Sequence, residues 1–163
     1  MSQPFFSILI LFWQSEQYLQ RCLQSLKAQT FRDFEVILLD NGSSRPPNPE
    51  VLASIEDVPV KLLRSETNLG FAGGNNLAAR SAAGEYLVML NNDAFPEEGW
   101  LETLHQAAVA HPNYCFASRL LLDSDPSLLD GEWNVCHASG LVWRKNHNQP
   151  ATKSAVSPRF VMS

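Results

Sequence analysis

The sequence predicts an α/β domain built on a largely parallel sheet with helices packed against it. Three observations lead there. Apolar runs of strand length recur at residues 5–12, 34–39, 59–64 and 85–90, and segments with helical character lie between them. Three of these runs pass straight into polar stretches: Trp13-Gln14, Asp40-Asn41-Gly42 and Asn91-Asn92-Asp93. Alternating strands and helices read as β-α-β units, and near-continuous apolar strands are those buried on both faces.

Residues 5–12 (FFSILILF) form the first expected strand. Ser15 is a candidate N-cap for a helix to about Gln29, with Leu19, Cys22, Leu23 and Leu26 on one apolar stripe. Residues 34–39 (FEVILL) give a second strand and 59–64 (PVKLLR) a third, with a short helix over Glu50 to Ile55 between them. The segment from Asn68 to Asn76 (NLGFAGGNN) reads as a Gly/Asn loop feeding an alanine-rich helix to about Ala83, stopped by Gly84. Residues 85–90 (EYLVML) make the fourth strand, and Pro96 and Pro112 bracket a helix.

After Tyr114 the pattern loosens. Strands are expected within 115–122 and 135–144, and residues 158–163 (PRFVMS) begin another. The expected division is residues 1–122 and residues 123–163.

The net charge of −5 and the lack of a basic stripe argue against nucleic-acid binding. A phosphate ligand would need a metal or local donors. Cys22, Cys115 and Cys136 are widely separated and show no metal spacing, which suits a reducing compartment. The run from Ile8 to Trp13 is too short to span a bilayer. A cytoplasmic location is the default, with peripheral association at the inner face of the membrane as a variant. His105, His111, His137 and His147 show no metal or nucleophile pattern and read as surface or packing residues.

Ligands of open α/β sheets bind outside the carboxyl ends of the strands. Asp93 stands at such an end, where a hard carboxylate suits Mg2+ or Mn2+. It also fits a turn residue that complements the next helix's dipole. Asp40 either accepts an N–H from a flat base, with its side chain open to the cleft, or starts the Asn-Gly turn. The segment from Gly70 to Asn76 offers backbone N–H groups to a phosphate, or is a tight turn and cap. It matches neither GxGxxG nor the P-loop.

Taken together, these segments resemble the family 2 glycosyltransferases. The likeness runs from Phe6 to Ser15, through Tyr18-Leu19 and Cys22-Leu23-Gln24-Ser25-Leu26, to the Asp-Asn-Gly-Ser ending at Asp40-Asn41-Gly42-Ser43. Asn68 to Asn76 is similar to the loop of the rhamnosyltransferase-like branch, and Leu90-Asn91-Asn92-Asp93 stands where the family carries its Asp-x-Asp metal motif. Two departures are Phe12-Trp13-Gln14 for the usual Thr-Tyr-Asn, and Asn91 for the first Asp.

The resemblance implies a GT-A type, Rossmann-like fold with a mostly parallel mixed sheet flanked by helices. By it, Asp40 and Asn41 contact the nucleotide, and Phe12, Trp13 and Gln14 line its pocket. Gly73, Asn75, Asn76 and Asn92 face the nucleotide sugar. Asp93, with Asn91 beside it, holds Mg2+ or Mn2+. The donor is a dTDP- or UDP-sugar and the acceptor a saccharide or a lipid-linked glycan. The family's general base follows a Ser-Gly-Ala-like strand, and Phe160-Val161-Met162-Ser163 resembles the start of that strand. The base is therefore expected beyond Ser163, in a chain truncated at its C-terminus, slow in transfer on its own and prone to self-associate.

Two rivals stand beside this reading. One is a nucleotide-sugar-binding or inactive degenerate module, which transfer of labelled sugar would separate. The other is a nucleotidyltransferase, which pyrophosphate release would reveal.

Overall fold

In a computed structural model, residues 3–131, 134–136 and 141–151 are described. They fall into two compact units, Met1–Pro112 and Asn113–Ser163. Pro112 closes the last helix of the first unit, and residues 120–122 pair with strand residues that follow them.

The first unit alternates β1 (Phe6–Phe12), α1 (Glu16–Lys27), β2 (Phe34–Asn41), α2 (Pro49–Ala53), β3 (Val60–Ser65), α3 (Gly70–Ala79), β4 (Tyr86–Asn91) and α4 (Trp100–Ala110). The strands form one sheet in the order β3-β2-β1-β4, with every pairing parallel. Alternation along β1 and β2 serves two cores. Ile8, Ile10, Phe12, Val36 and Leu38 pack with Leu19, Cys22, Leu23 and Leu26 of α1, Val51 of α2 and Leu101 of α4. Leu9, Ile37 and Leu39 face the other way, onto Ala78 of α3. Each fully buried large aliphatic side chain contributes about 1.5–3 kcal/mol, so these central strands anchor the fold.

Three local expectations change. The Gly/Asn segment is helical from Gly70 rather than a loop, and α3 ends at Ala79 rather than Ala83. Gly74 explains the first change: a Cβ there would stand 2.9 Å from Leu11 Cδ1 and 3.2 Å from Asn41 Nδ2, so its absence lets the helix lie close on the sheet. Gly84 is not a helix stop. It lies against β1, where a Cβ would stand 2.5 Å from the Ser7 backbone nitrogen. Ser15 stands at the N-cap of α1 as expected, without a side-chain cap bond.

The second unit holds β5 (Leu120–Leu122), antiparallel to β6 (Asp125–Gly131), and β7 (Asn134–Cys136), antiparallel to β8 (Val142–Arg144). The strand expected within 115–122 is confined to its last three residues, and the one expected over 135–144 is a pair of short strands. Arg144 Nη1 donates to Asp130 Oδ1 at 2.6 Å. The strand expected at 158–163 lies outside the described residues.

Candidate functional site

The chain leaves β1 toward β2 and β3, then returns to the opposite side of β1 as β4. That reversal puts a topological switch point between β1 and β4, where open α/β sheets form their ligand crevice. In register, Leu11 pairs with Asn91, Phe12 with Asp40, and Asp40 with Arg64. The carboxyl edge is thus a row that runs from Asn91 across β1 and β2 to Arg64.

At the end of β2, Asp40 is 1% exposed. Its Oδ1 accepts from the Ser43 backbone N–H at 2.9 Å, and its Oδ2 accepts from Arg64 Nη1 at 2.8 Å. The side chain expected to stand open to the cleft is instead buried and engaged at both oxygens. Arg64 Nη2 also donates to the Ser43 carbonyl at 3.2 Å. Gly42 takes φ +76°, and a Cβ on it would stand 2.4 Å from the Thr67 carbonyl carbon. Only glycine lets this turn lie so close to the 67–68 backbone.

Asn41 is 4% exposed and turns its side chain toward the start of α3. Its Oδ1 accepts from Leu69 N at 3.0 Å, and its Nδ2 donates to Asn68 Oδ1 and to Gly70 O, each at 3.2 Å. Asn68 Oδ1 in turn accepts from Gly70 N at 2.8 Å. Further along α3, Asn75 is buried and donates to Phe71 O at 2.9 Å. Asn76 is exposed, and Gly73 is half-buried against Leu69.

After β1, Trp13 is 52% exposed, whereas Phe12 is 1% exposed with the core around it. Gln14 has φ 52° and its N–H donates to Ser43 Oγ at 3.2 Å, which joins the turns after β1 and β2. A cleft of about 550 Å³ opens beside these turns, lined by Phe12, Gln14, Glu16, Ser44, Arg45, Pro46 and Asn48. Asn92 Nδ2 donates to Ser15 Oγ, which joins the turns after β4 and β1.

Asn91 and Asp93 are both exposed. Below them Cys22 is fully buried, with its Sγ 3.8 Å from the Asn91 carbonyl. Burial, and then the negative charge of Asp93, push the Cys22 thiol up to about 12. The described residues contain no group of three or more His, Cys, Asp or Glu able to hold a metal alone. A cation at Asp93 would share that carboxylate with waters and phosphate oxygens, an arrangement that Mg2+ accepts.

The structure therefore gathers Trp13, Gln14, Asp40, Asn41, Asn91, Asn92 and Asp93 at one sheet edge. Arg64 and Arg45 were not singled out from the sequence, and Ser43 and Asn68 entered only as parts of motifs, without a role of their own. Arg64 carried a signal all the same, as the charged end of the apolar run 59–64. Of the histidines, His105 stacks on Phe31 with ring centroids 4.6 Å apart, a packing role.

Comparison with known proteins agrees with this geometry. An uncharacterized glycosyltransferase of Haemophilus influenzae is 31% identical over 124 residues, which cover 71% of this chain and 49% of the relative. The glycosyltransferase GlyG of Streptococcus pneumoniae is 29% identical over 102 residues, covering 61% of this chain and 34% of the relative. The chain thus spans between a third and a half of these curated relatives. S. aureus TarS 1-349, solved in complex with UDP-GlcNAc, superposes with a TM-score of 0.61 at 26% identity, covering 72% of this chain and 33% of that one. The family model described as "Glycosyl transferase family 2" matches residues 7–135. With that match over most of its length, and with the GT-A architecture in its sheet, the chain belongs to glycosyl transferase family 2.

Proposed function

We propose that this chain forms the donor-binding part of an inverting, rhamnosyltransferase-like glycosyltransferase. It would take a dTDP- or UDP-sugar and serve transfer to a hydroxyl of a saccharide or lipid-linked acceptor. The observation that carries this reading is the polar row on the carboxyl edge of a parallel sheet, at the switch point between β1 and β4. The nucleotide-sugar complex of TarS supports the donor class.

In this reading residues 1–122 hold the donor, and residues 123–163 begin the acceptor side. Asp93, with Asn91 at the end of β4, would hold Mg2+ or Mn2+. When bound, the cation would offset the charge of the departing diphosphate. The chain's own residues do the positioning. Trp13 offers an exposed ring beside the base, and Gln14 lines the adjoining cleft. Asp40 and Asn41 fix the turns around it, Asn92 ties the metal-side turn to Ser15, and Gly73, Asn75 and Asn76 belong to the helix behind.

The work would be done in the cytoplasm, at the inner face of the membrane where the acceptor is lipid-linked. Among the described residues, no helix is long and apolar enough to cross a membrane. Self-association belongs to the same proposal. Leu87 and Met89 are 52% and 65% exposed on β4, which is an edge strand among the described residues. Apolar edges of this kind pair with other chains.

Calorimetry with UDP and dTDP, with and without Mn2+, tests the reading. Metal-dependent binding is expected. Absence of binding, or equal binding without metal, would sink it.

A further inference from the structure

We infer that Arg64 is the specificity-determining residue for the nucleobase, and that buried Asp40 serves to aim it. This rests on the reading of the chain as a nucleotide-sugar-binding domain. The family resemblance assigns the base contact to Asp40, but the geometry leaves Asp40 little to offer a ligand. The residue is 1% exposed, and its two oxygens already accept from Ser43 N and Arg64 Nη1.

Arg64 has the opposite character. Its side chain is 52% exposed at the carboxyl end of β3, directly across from Asp40 in the sheet register. Two acceptors on separate groups, Asp40 Oδ2 at 2.8 Å and the Ser43 carbonyl at 3.2 Å, fix the plane of the guanidinium. A guanidinium carries five N–H donors in a rigid fork, so donors remain beyond the two used here. They are pre-aimed, and a ligand that meets them loses little side-chain freedom.

The position selects the part of the ligand. Arg64 stands three strands from Asn91 along the row, about 14 Å at the usual strand spacing. An extended nucleoside diphosphate covers that length. With its diphosphate at Asp93, its base reaches the ends of β2 and β3. The Arg64 guanidinium carries donors and no acceptor, so it favours a base edge that presents acceptors, as the carbonyl of uracil or thymine or the O6/N7 pair of guanine does. Cytosine and adenine carry an amino group in place of that carbonyl.

The test is calorimetry on the full chain with Mn2+, using the pairs UDP/CDP and GDP/ADP. UDP/CDP exchanges the C4 carbonyl for an amino group, and GDP/ADP exchanges the C6 carbonyl for one together with loss of guanine's 2-amino group, while the diphosphate stays the same. The wild-type chain should prefer UDP over CDP, or GDP over ADP, by about tenfold or more, the range of a good fork contact. Which pair shows the preference identifies the base. Arg64→Gln should bring that ratio close to one while binding stays dependent on Mn2+ and on Asp93. Arg64→Lys keeps a positive charge beside Asp40 without the fork. It should give the same loss of preference with a preserved melting temperature, and it stands in if the Gln variant fails to fold. A ratio retained in the folded variants would overturn the assignment, and so would equal loss for all four nucleotides, which marks a phosphate contact. If the wild-type chain binds none of them, the donor-binding reading falls and takes this one with it.

Discussion

Asn92 donates its side-chain amide to the hydroxyl of Ser15, so the turn after β4 is tied to the turn after β1 across the switch point. The two residues are far apart in sequence and meet only because β1 and β4 are neighbours in the sheet. Ser15 stands at the start of α1, where its hydroxyl would ordinarily cap the helix. That hydroxyl is used instead to hold the loop that carries Asp93.

Ser15→Ala should therefore cost about 0.5–1.5 kcal/mol of stability, the usual net value of one hydrogen bond. It should also weaken Mn2+-dependent UDP binding several-fold, while Ser15→Thr retains both. Thermal melts and calorimetry read the two effects separately. Unchanged values in Ser15→Ala would mean the link has no consequence.

Asp93→Asn is expected to bring UDP affinity with Mn2+ down to its metal-free level. The side chain is exposed, so the melting temperature should not fall. A variant that keeps its metal response would remove Asp93 from the proposed site.

Asp40→Ala should lower stability as well as nucleotide affinity, because the carboxylate joins Ser43 N to Arg64. Hydrogen bonds to a charged group contribute roughly 1.5–3 kcal/mol, and the exposed Arg64 end puts the expected loss toward the lower figure. Asp40→Asn should recover part of it. Denaturant midpoints measure the loss. A full-stability Asp40→Ala protein would contradict the buried arrangement.

Cys22 should resist alkylation in the folded chain, while exposed Cys115 reacts readily. The thiol sits at about 12 in the fold against 9.0 for a free cysteine. Above pH 9 the unfolded chain therefore loses a proton that the native chain keeps. The stability linked to Cys22 is complete below about pH 9 and is lost as pH rises toward about 12. Peptide mapping after brief iodoacetamide treatment, repeated in denaturant, checks the protection.

Leu87→Lys combined with Met89→Lys should convert any concentration-dependent dimer to monomer by charging the β4 face. Sedimentation velocity over a concentration series measures this. An oligomer that persists in the double variant would place the contact elsewhere.

The strands were legible because β1 and β2 are buried on both faces and so read as apolar runs broken only by Ser7 and Glu35. The polar strand ends were legible because Asp40 breaks the apolar run of β2 abruptly and Asn91 breaks that of β4. The start of α3 was not. A run rich in Gly and Asn favours turns by local propensity, and the helix exists there because Gly74 allows close approach to Leu11 and Asn41 supports its first turn. Nor could the partnership of Asp40 with Arg64 be read locally. It depends on the register of β2 against β3, which no stretch of either strand encodes alone.

The Asn41-Gly42 step carries a consequence for how the protein ages. An asparagine followed by glycine is the pair most prone to close on its own backbone and lose its amide as ammonia. Here both ends of the Asn41 amide are clasped, Oδ1 by Leu69 N and Nδ2 by Asn68 and Gly70, so the folded chain holds the reactive group out of line. Release by heat or denaturant would expose it, and the aspartate or isoaspartate left behind would set a negative charge against the Gly70 carbonyl that the amide once served. Chains that unfold even briefly should accumulate a lesion that hinders the return of the 68–70 turn, and isoaspartate mapping after heat cycling is where that damage would be counted.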